Sequence, residues 1–331
     1  MTQPVINNTN LDSSLRLRPA QWADVNAVAQ LIYDVCEADG DTTVAVTPEE
    51  LKHEWESEDF NLESDAFVVE TSDGRIVGFE EFANENAHYK LHADGYVHPN
   101  FKGLGIGTSL LRRVEVRARE DMLLAEPDLR VFIRSTIDAK DPSSHDLHKN
   151  EGYFPKRYHW RMEINLQEAP PAPVFPAGVE LRPFVRDDHA VAVWQAQNES
   201  FRDHWGSRNV TFEEFTHSRF EDPEFDPSLW AIAWEGNEVA GFSLNRFRMG
   251  IGWVRTLGVR RPWRKKGLGL ALLQHSFGEF YKRGKPTIGL GVDASNPTGA
   301  TRLYQRAGMH VASEFLTYEK ELRPGRDLDN E

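Results

Sequence analysis

The chain has 331 residues, and its 38 lysine and arginine side chains are outnumbered by 52 aspartate and glutamate side chains, a formal net charge of −14. This length is enough for two domains of ordinary size. The acidic balance argues against general affinity for nucleic acid and favours a cationic substrate. No apolar run is long enough to cross a bilayer, and residues 1–14 do not resemble a secretory signal. We therefore expect a cytoplasmic protein with no membrane partner.

Cys36 is the single cysteine of the chain, so an internal disulfide is excluded. A metal site built from cysteine is not expected for the same reason. The apolar neighbours Leu31, Ile32 and Val35 predict that this thiol is buried on a helix.

Similar segments recur in the same order along the chain. Arg18 and Arg182 follow a leucine and precede a proline, 164 residues apart, and glycine-bearing turns begin at Lys102 and Arg264, 162 residues apart. A drifting offset with preserved order predicts two homologous domains that differ in loop length. We place the first domain at 15–165, a proline-rich linker at 166–177 and the second domain at 178–322, with Tyr158–Ile164 as the closing strand of the first.

Alternating and helical hydrophobic patterns define the elements of each domain. Residues 76–82 and 89–97 are the predicted central strands of the first domain. In the second, the pattern predicts helices at 190–199 and 212–220, strands at 230–234, 239–247, 253–259 and 287–292, helices from Gly267 and Pro297, and a final strand. Interleaved strands and helices indicate an α/β (α+β) fold with a mixed central sheet.

The turn that starts at Arg264 follows a predicted strand and opens an amphipathic helix. Its glycines and cations, and the free N–H groups at a helix start, suit a pyrophosphate or 3′-phosphate. A phosphate-binding P-loop is excluded because Leu270 and Ala271 stand where Lys and Ser or Thr are needed. A dinucleotide-binding fingerprint is disfavoured by Leu272, and a plain strand-to-helix turn stays open as an alternative.

Further along, Asn296 and Pro297 predict a helix start, and the helix carries Leu303 and Tyr304 before it ends at Gly308. Together with the Arg-x-x-Gly-x-Gly turn, these residues resemble the GNAT superfamily of acyl-CoA N-acetyltransferases. The tandem arrangement is similar to mycothiol-synthase-like members. The resemblance implies two GNAT-like domains with splayed central sheets and acetyl-CoA as cosubstrate, and the residue spacing gives no reason to expect a metal. The implied cofactor contacts are Leu257, Gly258, Val259, Arg264, Lys265, Lys266, Gly267, Leu268, Gly269, Leu270 and Asn296.

Acetyl transfer to an amine needs a neutral amine, donors for an oxyanion and a proton for the thiolate. Tyr304 is the candidate general acid. The alternative is that Tyr304 is a structural aromatic side chain packed on the sheet. Related enzymes carry a base glutamate on the central strand, but Trp253 occupies that position here. Asp203, His204 and Trp205 are candidates for the acceptor site. The alternative is that Asp203 caps the following turn and that Trp205 belongs to the core.

The first copy departs from this pattern after its turn. A second CoA site is open at Val97, Lys102, Gly103, Gly105 and Gly107. Lys140-Asp141 stands where the second copy has its Asn296-Pro297 helix start. His148 stands where the second copy has Tyr304, and it is either a general acid or a structural residue. The polar residues Glu80, Glu81, His88, His92 and Asp94 form either a site or an exposed sheet face, without recognisable metal-ligand spacing.

We therefore expect an acetyl-CoA-dependent N-acetyltransferase whose second domain is catalytic and whose first is degenerate. The expected acceptor is a small-molecule primary amine, with cationic ones such as an aminoglycoside or a polyamine included. Alternatives are two active domains with different acceptors, or a non-catalytic acyl-CoA-binding regulator. The chain is expected to be a monomer or a homodimer.

Overall fold

In the computed structural model, the described residues are 11–202, 204–205, 208–296 and 298–328. They divide into two compact units. Unit 1 contains residues 11–157 and 315–328, and unit 2 contains the described residues between 158 and 314. Each unit combines a mixed sheet with helices, which confirms the predicted α/β (α+β) class.

In unit 1, β1 to β5 are consecutive neighbours in the sheet, all antiparallel except β4 and β5, which are parallel. A continuous apolar cluster beneath α4 includes the fully buried Phe132 and Tyr153. The elements are β1 (Leu15–Pro19), α1 (Val25–Asp39), α2 (Pro48–Trp55), α3 (Leu62–Asp65), β2 (Ala66–Thr71), β3 (Ile76–Asn86), β4 (Lys90–Val97), α4 (Ile106–Asp121), β5 (Val131–Asp138), α5 (Pro142–Asn150) and β6 (Phe154–Asn165), which continues into unit 2.

Unit 2 repeats this plan, with β10 and β11 as its parallel pair. The elements are β7 (Val179–Arg182), α6 (Arg186–Phe201), α7 (Phe212–Phe220), β8 (Ala231–Glu235), β9 (Glu238–Arg248), β10 (Ile251–Val259), α8 (Leu268–Lys282), β11 (Thr287–Asp293), α9 (Ala300–Arg306) and β12 (His310–Arg323), which continues into unit 1.

The strands that close the two sheets are exchanged between the sequence repeats. Residues 159–165 of β6 pair antiparallel with β11 of unit 2. Residues 315–323 of β12 pair antiparallel with β5 of unit 1. The prediction that Tyr158–Ile164 closes the first copy is therefore wrong. Each strand follows a glycine in the left-handed conformation, Gly152 or Gly308, so the local sequence does not distinguish the two partners. The predicted limits 15–165 and 178–322 stay a prediction about the repeat in the sequence.

A close contact between two helices is repeated in both units. A Cβ atom added to Gly107 of α4 would lie 3.0 Å from Leu147 Cδ2 of α5, and one added to Gly269 of α8 would lie 3.2 Å from Leu303 Cδ2 of α9. The last glycine of each turn therefore brings the helix after the turn close to the next helix.

The strand exchange predicts which unit each closing strand stabilises. Tyr318 of β12 is 1% exposed in the core of unit 1, and Met162 of β6 is fully buried in the core of unit 2. Tyr318→Ala should cost about 3–5 kcal/mol and speed hydrogen exchange in β5, whereas Met162→Ala, the matched control, should cost about 2–5 kcal/mol and speed it in β11. Faster exchange in β11 after Tyr318→Ala, with β5 unchanged, would contradict the exchange.

Candidate active site

The glycine turn of unit 1 joins β4 to α4. Gly103 and Gly105 have left-handed backbone angles, with φ of 85° and 78°, and Gly105 directly precedes the first residue of α4. Glycine adopts this conformation without steric cost, and the first N–H groups of a helix have no partner inside the helix. Lys102 Nζ lies 3.1 Å from Asp141 Oδ2, so its charge is partly compensated within the unit. The turn can thus offer backbone donors to a phosphate.

The turn of unit 2 has the same shape and more positive charge. Gly267, with φ of 89°, precedes the first residue of α8, and Lys265 has a left-handed φ of 64° where unit 1 has Gly103. Lys265 and Lys266 are exposed. Arg264 is half-buried and donates from Nε to the Val259 carbonyl at 3.0 Å and from Nη2 to a second carbonyl at 2.9 Å. Arg264 therefore anchors the turn, while the two lysines present charge to solvent.

The other predicted cofactor contacts near this turn lie in the strand before it and in the helix after it. Leu268 is buried in the core beneath α8, and Leu270 is half-buried on the same helix. Within the strand before the turn, Gly258 lies against Phe242, whose Cζ would be 2.4 Å from an added Cβ. That glycine is required by packing inside unit 2.

The parallel strands of each unit are paired over a few residues only and then diverge. In unit 1 the pairing of β4 with β5 ends at His92 and Arg134, although β4 continues along β3 to Val97. In unit 2 the pairing of β10 with β11 ends at Trp253 and Gly289. Each gap leaves the end of a central strand open on one side, as the predicted splayed sheets require.

The two central strands differ in register. Against β9, β10 shifts between Val254 and Thr256, so Arg255 is an extra, bulged residue ahead of Leu257 and Val259. Against β3, β4 runs without a shift from Leu91 to Val97. A bulge bends a strand and takes one residue out of the ladder. The predicted cofactor strand of unit 2 therefore carries an irregularity that its counterpart in this part of unit 1 lacks.

A cavity of about 960 Å³ opens in unit 1 beside the diverging strands and the glycine turn. Residues from β3, β4, β5, α1, α4 and α5 line it. They include all five residues of the predicted second CoA site, Val97, Lys102, Gly103, Gly105 and Gly107. Unit 1 thus brings these predicted residues together around one space.

The helix after the diverging strands begins differently in each unit. Asn296 does not cap α9, because that helix begins at Ala300 with Gly299 as its N-cap; Asn296 Oδ1 instead accepts a hydrogen bond from Thr298 N at 2.9 Å. In unit 1, Asp141 caps α5 by accepting from two backbone N–H groups, with Pro142 at the first helical position. We expected a helix cap followed by proline in the second copy. The structure has it in the first copy instead, as Asp141 and Pro142.

Tyr304 and His148 occupy corresponding positions on α9 and α5. Tyr304 is 8% exposed within the core of unit 2, and burial raises its pKa to about 12, so it stays protonated at neutral pH. His148 Nδ1 lies 2.9 Å from the Ser144 carbonyl, which can only accept, so the proton is on Nδ1 and Nε2 is an acceptor. Burial lowers the pKa of His148. Tyr304 can therefore donate a proton, whereas neutral His148 presents an acceptor.

The carboxylates of β3 and β4 are not on an exposed sheet face. Glu80 is 6% exposed. Glu81 accepts a hydrogen bond from Trp55 Nε1 at 3.3 Å, and Asp94 accepts one from Tyr96 Oη at 3.0 Å. Burial, then the neighbouring carboxylates, raises the pKa of Glu81 to about 8, and burial also raises the pKa of Asp94.

The remaining candidates are distributed elsewhere. His88 pairs with Asp121 through Nδ1 at 2.8 Å, whereas His92 lines the cavity of unit 1. In the expected acceptor loop, the His204 ring lies 4.6 Å from the Phe201 ring, Trp205 is half-buried, and Asp203 lies outside the described residues. The part of the chain that the structure describes contains no group of three or more His, Cys, Asp or Glu that could hold a metal ion. Among its helices, none is both long and apolar enough to cross a membrane.

Both units have a central strand that leads through a glycine turn into a helix, beside parallel strands that diverge. This repeated arrangement defines a tandem acyltransferase fold. The model of the acetyltransferase (GNAT) family matches residues 32–152 and 190–309, and the chain belongs to this family. The predicted resemblance is confirmed, and with it the class of enzyme.

Three known proteins are similar over nearly the whole chain. The mycothiol acetyltransferase of Catenulispora acidiphila is 26% identical, covering 94% of this chain and 99% of that protein. The crystal structure of a GCN5-related N-acetyltransferase from Sphaerobacter thermophilus has a TM-score of 0.82 and 38% identity, over 96% of this chain and 99% of that one. A tandem GNAT protein from the clavulanic acid biosynthesis pathway shares the fold, with a TM-score of 0.71 and 16% identity over 94% and 100% of the two chains.

The raised pKa of Glu81 predicts a pH dependence of stability. Between about pH 5 and pH 8 the unfolded state loses this proton while the folded state keeps it, so the free energy of unfolding should fall as pH rises. Glu81→Gln keeps an acceptor for Trp55 and should flatten that fall in urea titrations across this range. Glu63→Gln, an exposed carboxyl change, is the control. An equal pH slope in wild type and Glu81→Gln would rule out the effect.

Proposed function

We propose that this protein transfers the acetyl group of acetyl-CoA to a primary amine of a small molecule, by direct attack of the amine on the thioester. Membership of the GNAT family and the two phosphate-suited turns support acetyl-CoA as the cosubstrate. The relatives named mycothiol acetyltransferase suggest a small amine acceptor. Their particular acceptor is not carried over, because Trp253 stands where the resemblance expects the base glutamate.

The cavity of unit 1 carries the proposal. Its lining joins the unpaired end of β4, the glycine turn and α5 around about 960 Å³. In this proposal the pantetheine arm runs along residues 93–97 of β4, and the pyrophosphate meets the N–H groups after Gly103 with Lys102 beside them. Asp141 reduces the attraction of Lys102 for phosphate, since the two side chains are 3.1 Å apart.

Unit 2 is the second candidate site for the same reaction, and it is the one that the sequence favoured. Exposed Lys265 and Lys266, the bulge at Arg255 and protonated Tyr304 support it. Leu257 and Val259 would then pair with the pantetheine arm and Asn296 would contact it. A backbone N–H near the bulge would stabilise the oxyanion, and Tyr304 would protonate the leaving thiolate. His204 and Trp205 would border the acceptor.

Titration calorimetry with CoA tests the two cofactor sites separately. We expect Lys102→Ala to weaken only the unit 1 site and Lys265→Ala with Lys266→Ala only the unit 2 site, each about three- to tenfold, because each removes charge beside a phosphate. Asp141→Asn should strengthen the unit 1 site, since asparagine also caps helices and no longer pairs with Lys102. A single CoA site lost only with the two lysines would contradict cofactor binding in unit 1.

The activity test is a screen of primary amines with acetyl-CoA that follows release of free CoA thiol. Tyr304→Phe distinguishes the two units: transfer in unit 2 predicts a rate about 100-fold lower with unchanged CoA affinity, because the proton donor for the thiolate is lost, whereas transfer in unit 1 predicts an unchanged rate. Tyr158→Phe, at an exposed tyrosine, is the matched control. Unchanged transfer in the Tyr304→Phe chain would remove Tyr304 from the reaction.

A further inference from the structure

Three buried side chains that line the unit 1 cavity carry polar atoms without a hydrogen-bond partner among the described residues. Ser135 of β5 is 5% exposed and His148 of α5 is 7% exposed, and both Ser135 Oγ and His148 Nε2 are buried without a partner. Glu80 of β3 is 6% exposed, and the described part of the chain gives its carboxylate neither a hydrogen bond nor an ion pair. All three residues line the cavity. Buried polar groups are nearly always paired, so a ligand that supplies the partners is indicated.

The sheet register places Glu80 and Ser135 on one face. Glu80 lies opposite Gly95, and a Cβ atom at Gly95 would be 2.9 Å from Glu80 Cδ, so the bare glycine makes room for this carboxylate. Ser135 follows the partner of His92 by one residue, which aligns it with Ala93, on the same face as Gly95. Gly78 shares the face of Glu80 and lies against α4. The two side chains therefore point to the side of the sheet covered by α4.

Unit 2 has the same fold but satisfies this position internally. Ser243, opposite Leu257, corresponds to Glu80, opposite Gly95. Ser243 Oγ lies 2.8 Å from Asn245 Oδ1 and 3.0 Å from Ser276 Oγ, and Asn245 Nδ2 also donates to the Leu229 carbonyl at 2.7 Å. The polar groups left without partners in unit 1 are therefore not a requirement of the fold.

We propose that Glu80, Ser135 and His148 bind the ammonium group of the acceptor amine. The three residues offer three acceptor atoms, a carboxylate oxygen, Ser135 Oγ and His148 Nε2, and a primary ammonium has three N–H donors. This assignment rests on the proposed function, because it makes the unit 1 cavity the binding site of the acceptor. It selects amines, since an uncharged alcohol offers one donor and no charge.

The charges around Glu80 couple binding to a proton. Burial raises the pKa of Glu80 well above its ordinary value, and Asp94 of β4 and Glu115 of α4 raise it further. Glu115 is paired with Lys320 of β12, and Tyr153 and His148 also border this region. The raised pKa favours the protonated Glu80 carboxyl in the empty site, and an ammonium beside it favours the carboxylate, so ammonium binding should release a proton to solvent.

The bound ammonium then gives one proton to the Glu80 carboxylate and becomes a neutral amine. Its nitrogen forms a bond to the thioester carbonyl carbon, and the carbon–sulfur bond breaks. The second nitrogen proton leaves with the thiolate, so the products are the N-acetyl amine and free CoA thiol.

Calorimetry of the full chain with n-butylammonium chloride, without acetyl-CoA, tests the site. Titrations in two buffers of different ionisation enthalpy should show proton release, and binding should be tighter at about pH 8 than at about pH 6, because Glu80 then ionises more readily. Glu80→Gln should weaken binding about tenfold or more and abolish the proton release, and Ser135→Ala should weaken it about threefold. Glu81→Gln, the next carboxyl along β3 on the opposite face, is the matched control and should bind as wild type does.

Equal binding by Glu80→Gln and wild type, an equal loss in Glu81→Gln, or binding of n-butanol as tight as that of n-butylammonium would overturn the site. Because acetyl-CoA is absent, this result is independent of acetyl transfer. Normal CoA binding and transfer in Glu80→Gln would leave the proposed function standing without this site. Amine binding with no transfer to any amine would retain the site and remove the proposed function.

Discussion

The divergence of two parallel strands is the constraint on which each unit depends. Parallel pairing stops at His92 in unit 1 and at Trp253 in unit 2, while the outer edge of each central strand stays paired. The opened edge needs another partner for its backbone groups, because buried backbone donors and acceptors are seldom left unpaired. A chain-like ligand with amide groups would meet that need, and the opened strand and the glycine turn at its end would then form a single binding feature.

The two units show how one fold can carry different chemistry at equivalent positions. In unit 2, Leu257 stands at the strand position of Gly95 in unit 1, and a serine held by hydrogen bonds stands at the position of Glu80. Likewise, Tyr304 of α9 offers a hydrogen-bond donor where His148 of α5 offers an acceptor. Unit 1 therefore has a polar cavity beside its turn, whereas the position in unit 2 that corresponds to Glu80 is hydrogen-bonded by side chains of unit 2 itself.

Much of the architecture could be predicted from the sequence because hydrophobic periodicity is a local signal. The helix at Phe212–Phe220 was predicted with its observed bounds, and the central strands were located to within a few residues. The exchange of β6 and β12 could not be predicted, because pairing partners are set by tertiary contacts that two similar closing strands satisfy equally well. The Asp141 cap was missed because asparagine was expected there, although Asp-Pro is an equally good start signal. Burial of Glu80 was also hidden, since it depends on the bare Gly95 across the strand.

The two turns would attract a phosphate in different physical ways. In unit 1 both left-handed positions are glycine, so the turn forms without backbone strain, but Asp141 offsets the charge of Lys102. In unit 2 Lys265 occupies a left-handed position, which costs a side-chain-bearing residue about 1–2 kcal/mol. That cost places two exposed lysines beside the helix start, where they reinforce the positive end of the helix dipole. In the proposed cofactor sites, unit 1 would therefore rely on backbone donors with little net charge, and unit 2 would rely on charge at the expense of backbone strain. The similar sequences of the two turns conceal this difference, which arises from Lys265 and Lys266 in place of Gly103 and Leu104 and from Asp141 beside Lys102.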